Sequence, residues 1–226
     1  MEPDTASIRA IPGILRSGWD DYTAAWRAHS WMAVVVLGVY AAARLGASFF
    51  LATDRTVSAF LVDLGGLIVA TAIALPWFTL SLAVARQRHA GFERSWAESQ
   101  GSFVAMAIAA SAFWLVVVFG VVYALGIPSL IVLVLFGLFG FAVANERLTG
   151  LRSLRHAYRV GRGQRTLIAA VALLLLIANG AIASALGSGP VLVLVALPLL
   201  VMSTGFSMST GAHLYLLLLG AQSPPE

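Results

Sequence analysis

The chain has 226 residues, of which 60% are hydrophobic and only 11% are charged, and its mean hydropathy is +0.90. Its apolar residues form long uninterrupted runs, so the composition excludes an ordinary soluble domain and indicates a polytopic membrane protein. The formal net charge is +4, but the basic residues lie in short segments between apolar runs, which is typical of membrane-protein loops and not of a nucleic-acid surface.

Several kinds of chemistry are excluded by residues that the chain lacks. It contains no cysteine, which rules out disulfides, thiolate catalysis and cysteine-ligated metals. All fourteen of its lysine-or-arginine positions are arginine, so a Walker A phosphate loop and Schiff-base catalysis are ruled out as well. With no H-E-x-x-H or G-x-S-x-G motif either, we expect a non-enzymatic protein without cofactor, metal or catalytic residues.

Six apolar runs are long enough to cross the ~30 Å of bilayer hydrocarbon. The fourth is the shortest, and Pro76 and Pro198 in the second and sixth runs are expected to kink or break their helices. The runs are Trp31 to Ala52, Val57 to Ala85, Phe103 to Leu125, Pro128 to Ala144, Thr166 to Leu186 and Pro190 to Gly220.

The arginines predict the orientation. Twelve of the fourteen lie before the first run, after the second or after the fourth, whereas the opposite connections carry one arginine in "TDRT" and none in "GIP" or "GSGP". By the positive-inside rule, both termini are expected to be cytoplasmic. Residues 1–30 contain four acidic residues and no apolar core, so we expect the first run to act as its own insertion signal.

Each cytoplasmic segment carries an apolar or aromatic stripe at helical spacing, which predicts three amphipathic interfacial helices. The stripes are Ile8, Ile11, Leu15, Trp19, Tyr22 and Trp26, with Asp20 and Asp21 off the stripe; Phe92, Trp96 and Phe103; and Leu148, Leu151, Leu154 and Tyr158. Because a pair of spans follows each stripe, we predict one membrane domain over residues 1–226 with repeat units near 6–86, 87–145 and 146–220, and a cytoplasmic tail at 221–226.

In the third segment, Arg152, Arg155, Arg159 and Arg162 lie beside the apolar stripe. The arginines are predicted to contact headgroups of anionic lipid, or an acidic membrane-protein partner, while the stripe enters the acyl chains. Alternatively, the stripe packs on the protein's own spans, or the segment forms a phosphate-ligand site. Glu146, at the end of the fourth run, is interpreted as a local partner for Arg147, Arg152 or Arg155.

The run "ANERLTGLRSLRHAYRVGRGQRTLI" resembles a signature of bacterial six-span membrane proteins grouped with the membrane domain of glycerophosphodiester phosphodiesterases and with YciC-like proteins. Ala157 and Gly161 depart from it, and "ILRSGW" and "HLY", including Tyr215, are also similar. The resemblance implies a six-helix architecture with repeats in the bacterial inner membrane. It implies no catalytic residue, because the phosphodiesterase activity belongs to a separate soluble domain. The matching residues are Ser153, Leu154, Arg155, Tyr158, Arg159, Val160, Arg162 and Gly163.

Two charges lie deep in the first pair of runs. Arg44 and Asp63 fall at similar depths, and an unpaired charge there is costly, so an ion pair across the outer half of the hairpin is predicted. Snorkelling of each side chain to the outer interface and a substrate or proton site are the alternatives.

The last run contains "STGFSMSTGAHLY", which places Ser203, Ser207 and Thr210 on one face with His213 three residues further on. Small hydroxyl residues usually mediate close helix contacts, and the alternative is a polar cavity that also includes Asn179. His213 is interpreted as an interface histidine, and Asn179 as an interhelical contact.

Two functions remain. The first is an accessory, assembly or lipid-organising factor that acts through its interfacial helices on anionic lipid, a membrane-protein partner or a second copy of itself. The second is a small-solute or lipid transporter or channel with a polar midplane site between proline-broken helices. A water-filled vestibule lined by the polar residues of the last run would favour transport, and closed packing would favour the first function.

The predicted orientation is testable with single cysteines in this cysteine-free chain. Cysteine at Thr53 or Ser188 is expected to react with an impermeant thiol reagent added outside cells, whereas cysteine at Ser223 is expected to react only after permeabilisation. The reverse labelling pattern would refute the predicted topology.

Overall fold

A computed structural model describes residues 9–88, 91–123, 126–186 and 190–221 of the chain. All regular secondary structure in these ranges is helical. The α-helices are α1 Ile11–Ala24, α2 Trp26–Ala52, α3 Thr56–Ile73, α4 Leu75–Ala85, α5 Phe92–Ser99, α6 Phe103–Tyr123, α7 Ile127–Phe136, α8 Phe139–Glu146, α9 Leu151–Val160, α10 Arg165–Ala185 and α11 Pro190–Gly220, with a 3₁₀ turn at Gln100–Ser102 between α5 and α6. Ile8, His89, Leu125, Ser188, Ser223 and most of the predicted tail lie outside the described residues.

Six helical segments are long and apolar enough to cross a membrane, which confirms the predicted all-α polytopic fold. The first begins at Trp26 instead of Trp31, because α2 extends beyond the apolar run. The third begins at Phe92 instead of Phe103, because α5 leads through the 3₁₀ turn directly into α6. The segments are Trp26–Ala52, Thr56–Ala85, Phe92–Val121, Ile127–Glu146, Arg165–Ala185 and Leu192–Gly220.

Two of the spans are interrupted. The second is divided at Ala74 into α3 and α4, as expected from Pro76, which has no N–H to donate to the helix. The fourth is divided at Gly137 and Leu138 into α7 and α8, a break that no proline predicted. Pro198, by contrast, lies inside the continuous helix α11 and does not break it.

Packing is tightest toward one end of the bundle. The turns after Ala85 and Glu146, together with α1, α5 and α9, form this end, which we call the basic end because most of the arginines lie there. The large core cluster contains Leu82, Phe141, Leu167 and Leu218, which lie near the basic ends of their helices. Farther along α2, α3 and α10, large apolar side chains such as Leu45, Leu61 and Ile177 are exposed, as expected of lipid-facing surfaces.

The short helices α1 and α9 pack on the protein through small residues together with part of the predicted stripes. Helix α1 buries Ile14, Gly18 and Tyr22 against α11, and of the predicted stripe Trp19 and Trp26 are 44% and 53% exposed. Small residues let helix backbones approach closely, which the bulky tryptophans would prevent. The predicted stripe of α1 is therefore divided, with Tyr22 packed on the protein and the two tryptophans exposed, and its contact with lipid stays a prediction. The threefold repeat remains a prediction.

The crossing of α1 and α11 depends on Gly18. A Cβ atom added to Gly18 would lie 2.8 Å from Thr210 Cα and closer still to the Thr210 hydroxyl, whereas a Cβ at Gly13 of the same helix would meet nothing within 4 Å. The two glycines therefore form a matched pair for testing this contact.

Gly18→Ala is expected to lower the midpoint of thermal unfolding in detergent, because the added methyl group pushes α1 away from Thr210. The clash of a small-to-large change typically costs about 1–3 kcal/mol. Gly13→Ala should be neutral or slightly stabilising, since alanine favours an exposed helix by about 1 kcal/mol over glycine. Equal shifts for the two variants would show that the crossing is not closely packed.

Candidate functional site: polar contacts of helix α11 and the arginine helix

A fully buried histidine joins three helices. His29 of α2 has 0% exposure, and its Nδ1 accepts a hydrogen bond of 2.8 Å from Trp77 Nε1 of α4. Because Nδ1 is the acceptor, a neutral His29 carries its proton on Nε2 and donates it to the Ser209 hydroxyl of α11 at 3.3 Å. Sequence analysis missed this contact, because a single histidine before an apolar run has no pattern that marks a partner 48 residues away.

The predicted polar residues of α11 also bind neighbouring helices. His213 Nε2 lies 2.6 Å from Asp21 Oδ2 of α1, and the Ser207 hydroxyl accepts a 2.8 Å hydrogen bond from Asn179 Nδ2 of α10. Burial raises the pKa of the Asp21 carboxyl, and the adjacent His213 acts in the opposite direction. Thr210 is fully buried beneath Gly18.

The residues predicted to line a polar cavity can be compared with these contacts and with the pockets of the structure. Ser207 donates its own proton to the Ser203 carbonyl at 2.8 Å, so its hydroxyl is engaged on both sides. Neither the pocket beside Arg86 nor the apolar cleft between α7 and α10 includes any of the five predicted cavity residues. Asn179, Ser207 and His213 thus contact neighbouring helices, whereas the Thr210 hydroxyl and the Asn179 amide oxygen are buried without a hydrogen-bond partner. The polar cavity stays a prediction.

Glu146 does not pair with the neighbouring arginines as interpreted from the sequence. Glu146 Oε1 lies 2.7 Å from His156 Nε2 of α9 and accepts a long hydrogen bond of 3.4 Å from the Tyr215 hydroxyl of α11. The physical reason is the rotation of α9, whose arginines are exposed while His156 is turned toward the bundle and half-buried. This cluster joins the end of α8 to both α9 and α11.

Helix α9 has three distinct faces. Ser153, Ala157 and Val160 are buried against α6, α7 and α8. The four predicted arginines Arg152, Arg155, Arg159 and Arg162 are all exposed on the opposite side. Between these two faces, Leu151 and Tyr158 of the predicted stripe are 61% and 37% exposed. The helix therefore packs on the protein through its small residues and leaves part of its apolar stripe beside the arginines uncovered.

Arg44 and Asp63 form an ion pair between α2 and α3, with Arg44 Nη1 2.7 Å from Asp63 Oδ2. The pair lies on the outside of the hairpin, because the Arg44 side chain is 59% exposed and that of Asp63 is 26% exposed. Neighbouring large residues such as Leu45 and Leu61 are also exposed, so within a bilayer the surroundings of the pair would be lipid and not packed protein.

The described residues contain no cluster of three or more histidine or acidic side chains that could hold a metal ion. The chain matches no family model, no curated protein and no solved structure. The resemblance to the six-span group with YciC-like proteins therefore remains a prediction from the sequence.

Arg44→Ala is expected to destabilise the protein by up to about 3 kcal/mol, because it leaves the Asp63 carboxylate without a partner at membrane depth. Combining it with Asp63→Ala should recover much of that loss, since the unpaired charge is the main cost. Thermal unfolding in nanodiscs measures both effects. Arg55→Ala, an exposed arginine in the turn beyond α2, is the control and should have little effect. Additive losses in the double variant would contradict a pairing that matters for stability.

Proposed function

We propose that the protein is a non-enzymatic integral membrane protein of the bacterial cytoplasmic membrane that acts as an accessory, assembly or lipid-organising factor. In this proposal both termini and the basic end face the cytoplasm, and helix α9 binds the headgroups of anionic lipids. The observation that carries the proposal is the division of α9 into a packed face, an exposed apolar strip and an arginine face.

The exposed apolar strip distinguishes a lipid surface from a soluble anionic partner. Leu151 and Tyr158 are adjacent on the helix surface to Arg155 and Arg162, so a shallow position in the bilayer would bury the first pair and leave the second at phosphate level. A helix exposed only to water would gain nothing from uncovered leucine. The fixed packing of Ser153 and Ala157 holds this surface at one angle to the spans.

Exposed tryptophans support the same boundary. Trp19, Trp26, Trp31 and Trp96 are between 39% and 60% exposed, and all four lie in or near the short segments at the start of the first and third spans. Tryptophan is enriched where a bilayer meets water, because its ring is apolar while its N–H prefers a polar partner. Together with the arginines, these residues are arranged as an interfacial belt at the basic end.

The closed packing around α11 favours this function over transport. The contacts Asn179–Ser207 and Asp21–His213 use the polar groups that a midplane transport site would need. A transporter remains the alternative, and the breaks at Ala74 and Gly137 are the observation in its favour, because interrupted helices frame the substrate sites of many transporters.

Replacing Arg152, Arg155 and Arg162 with glutamine is expected to reduce the amount of phosphatidylglycerol that the purified protein retains from mixed neutral and anionic nanodiscs. Arg159 is left unchanged, because it also interacts within the protein. Each arginine near an anionic surface contributes about 1 kcal/mol, so the difference should be large at low salt and shrink at high salt. Native mass spectrometry of the bound lipids measures it.

The matched control replaces the same three arginines with lysine, which keeps the charge and should keep the lipid. Leu151→Asn tests the apolar strip separately, and it should weaken lipid retention without changing the charge. If the glutamine variant retains as much phosphatidylglycerol as the native protein, then the arginines serve another purpose, and an acidic protein partner becomes the better explanation.

A further inference from the structure

A polar pocket of about 200 Å³ lies at the basic end. It lies between the end of α4, helix α5 and the turn after α8. Arg86, Arg88, Arg94 and Arg147 line it, and Glu98 is the acidic residue of the lining. The pocket therefore gathers four positive charges against one negative charge from three separate parts of the chain.

Arg86 is held in place without being neutralised, whereas Arg94 has an acidic partner. Arg86 Nη2 donates a hydrogen bond of 2.5 Å to the Asn145 side-chain carbonyl, a neutral acceptor that orients the guanidinium and leaves its positive charge uncompensated. Arg94 Nε pairs with Glu98 at 2.8 Å on an exposed surface, where such a pair contributes little. Excess positive charge in a concave site attracts anions.

Two helix ends beside the pocket have an unusual backbone conformation. Gln87, after α4, and Arg147, after α8, have φ angles of 55° and 52°, in the left-handed region that costs energy for residues with a Cβ. Glycine or asparagine is the usual residue where a helix ends in this way. Arginine at position 147 therefore lowers the stability of the backbone, and the same residue lines the pocket.

Hydroxyl groups complete the lining. Ser95, which is 2% exposed, and Thr79 both contribute to it. Guanidinium groups donate pairs of N–H bonds that match the oxygens of a phosphate group, whereas the Thr79 hydroxyl already donates to the Leu75 carbonyl at 3.2 Å. The volume is below the ~300–1,000 Å³ of pockets for drug-sized ligands, which suits a small anion or a headgroup better than a larger molecule.

We infer that this arginine pocket, lined by Arg86, Arg88, Arg94 and Arg147, binds a phosphate group. The phosphate is either a free ion in the cytoplasm or the monoester headgroup of a lipid such as phosphatidic acid. The site goes beyond the proposed lipid contact of α9, because it shares no residue with that helix and binds one group in a cavity instead of a lipid surface.

The first experiment measures the binding of free phosphate ions. Purified protein in nanodiscs of neutral lipid is titrated with inorganic phosphate, with sodium chloride at matched ionic strength as the salt control, and the midpoint of thermal unfolding is recorded. Phosphate should raise the midpoint, as any ligand of the folded state does, and chloride should not. In the variant Arg88→Gln with Arg147→Gln, the affinity should fall about tenfold or more, since two charged hydrogen-bond donors are lost.

The second experiment measures the binding of a lipid with a phosphate headgroup. The native protein and the same double variant are placed in nanodiscs containing phosphatidic acid, and the retained phosphatidic acid is counted by native mass spectrometry. Loss of retention in the variant without any response to inorganic phosphate identifies a lipid headgroup, whereas a response to inorganic phosphate alone identifies the free ion. A response to both shows that the pocket accepts the phosphate group from either source.

Controls separate this site from the lipid surface of α9. Arg152→Gln with Arg155→Gln removes the same amount of charge at the same end and should leave the phosphate response unchanged. Phosphate binding in the pocket and lipid binding by α9 can therefore be refuted independently of each other. Glu98→Gln should tighten phosphate binding, because it removes the acidic group of the lining. If the double arginine variant does not fold, this variant tests phosphate binding in its place. No response of the native protein to either probe, equal responses to chloride and phosphate, or unchanged affinity in Glu98→Gln would overturn the inference.

Discussion

The structure depends on the polar contacts that helix α11 makes with its neighbours. Ser209 reaches His29, His213 reaches Asp21, Ser207 reaches Asn179 and Tyr215 reaches Glu146. These contacts connect α11 to α2, α1, α10 and the end of α8. In a bilayer the hydrophobic effect does not drive helices together, so packing, small residues and hydrogen bonds between helices carry that role. One helix that supplies a polar partner to each neighbour fixes their rotation and depth together.

This arrangement determines where function can lie. Ser207 and Ser209 of α11 already have partners on neighbouring helices, although the buried Thr210 hydroxyl has none. Opening a path along α11 would leave those partnered groups unsatisfied, at about 1–3 kcal/mol for each group. Binding to the basic end requires no such loss, because the arginines of α9 and of the pocket are already exposed. The interior contacts therefore hold the bundle together, and the exposed arginines of the basic end are the groups that we propose bind ligands.

The sequence was sufficient where one physical rule dominated. Six apolar runs were visible because only a membrane accommodates them, and the break after Ile73 followed from Pro76. Arg44 and Asp63 could be placed at one depth because few other charges lie so far inside a span. The face of α1 could not be deduced in the same way. Aromatic spacing grouped Tyr22 with Trp19 and Trp26, but close helix contact selects small residues, so Gly18 and Tyr22 face the bundle while the tryptophans face outward. The partner of Glu146 was missed for a related reason, since sequence distance favoured Arg147 whereas the rotation of α9 presents His156.

The partners of the charged side chains explain why the basic end keeps its positive charge. Two acidic residues at this end are paired with histidines, Asp21 with His213 and Glu146 with His156, while Glu98 is paired with Arg94. Arg86 is bound to a neutral amide, and Arg165 lies over the ring of Tyr158 at 4.7 Å, an interaction that orients a guanidinium without cancelling its charge. Histidine can act as a neutral partner near physiological pH, which arginine cannot. Pairing the carboxylates with histidine thus stabilises the bundle while the guanidinium charge stays available to anions outside it.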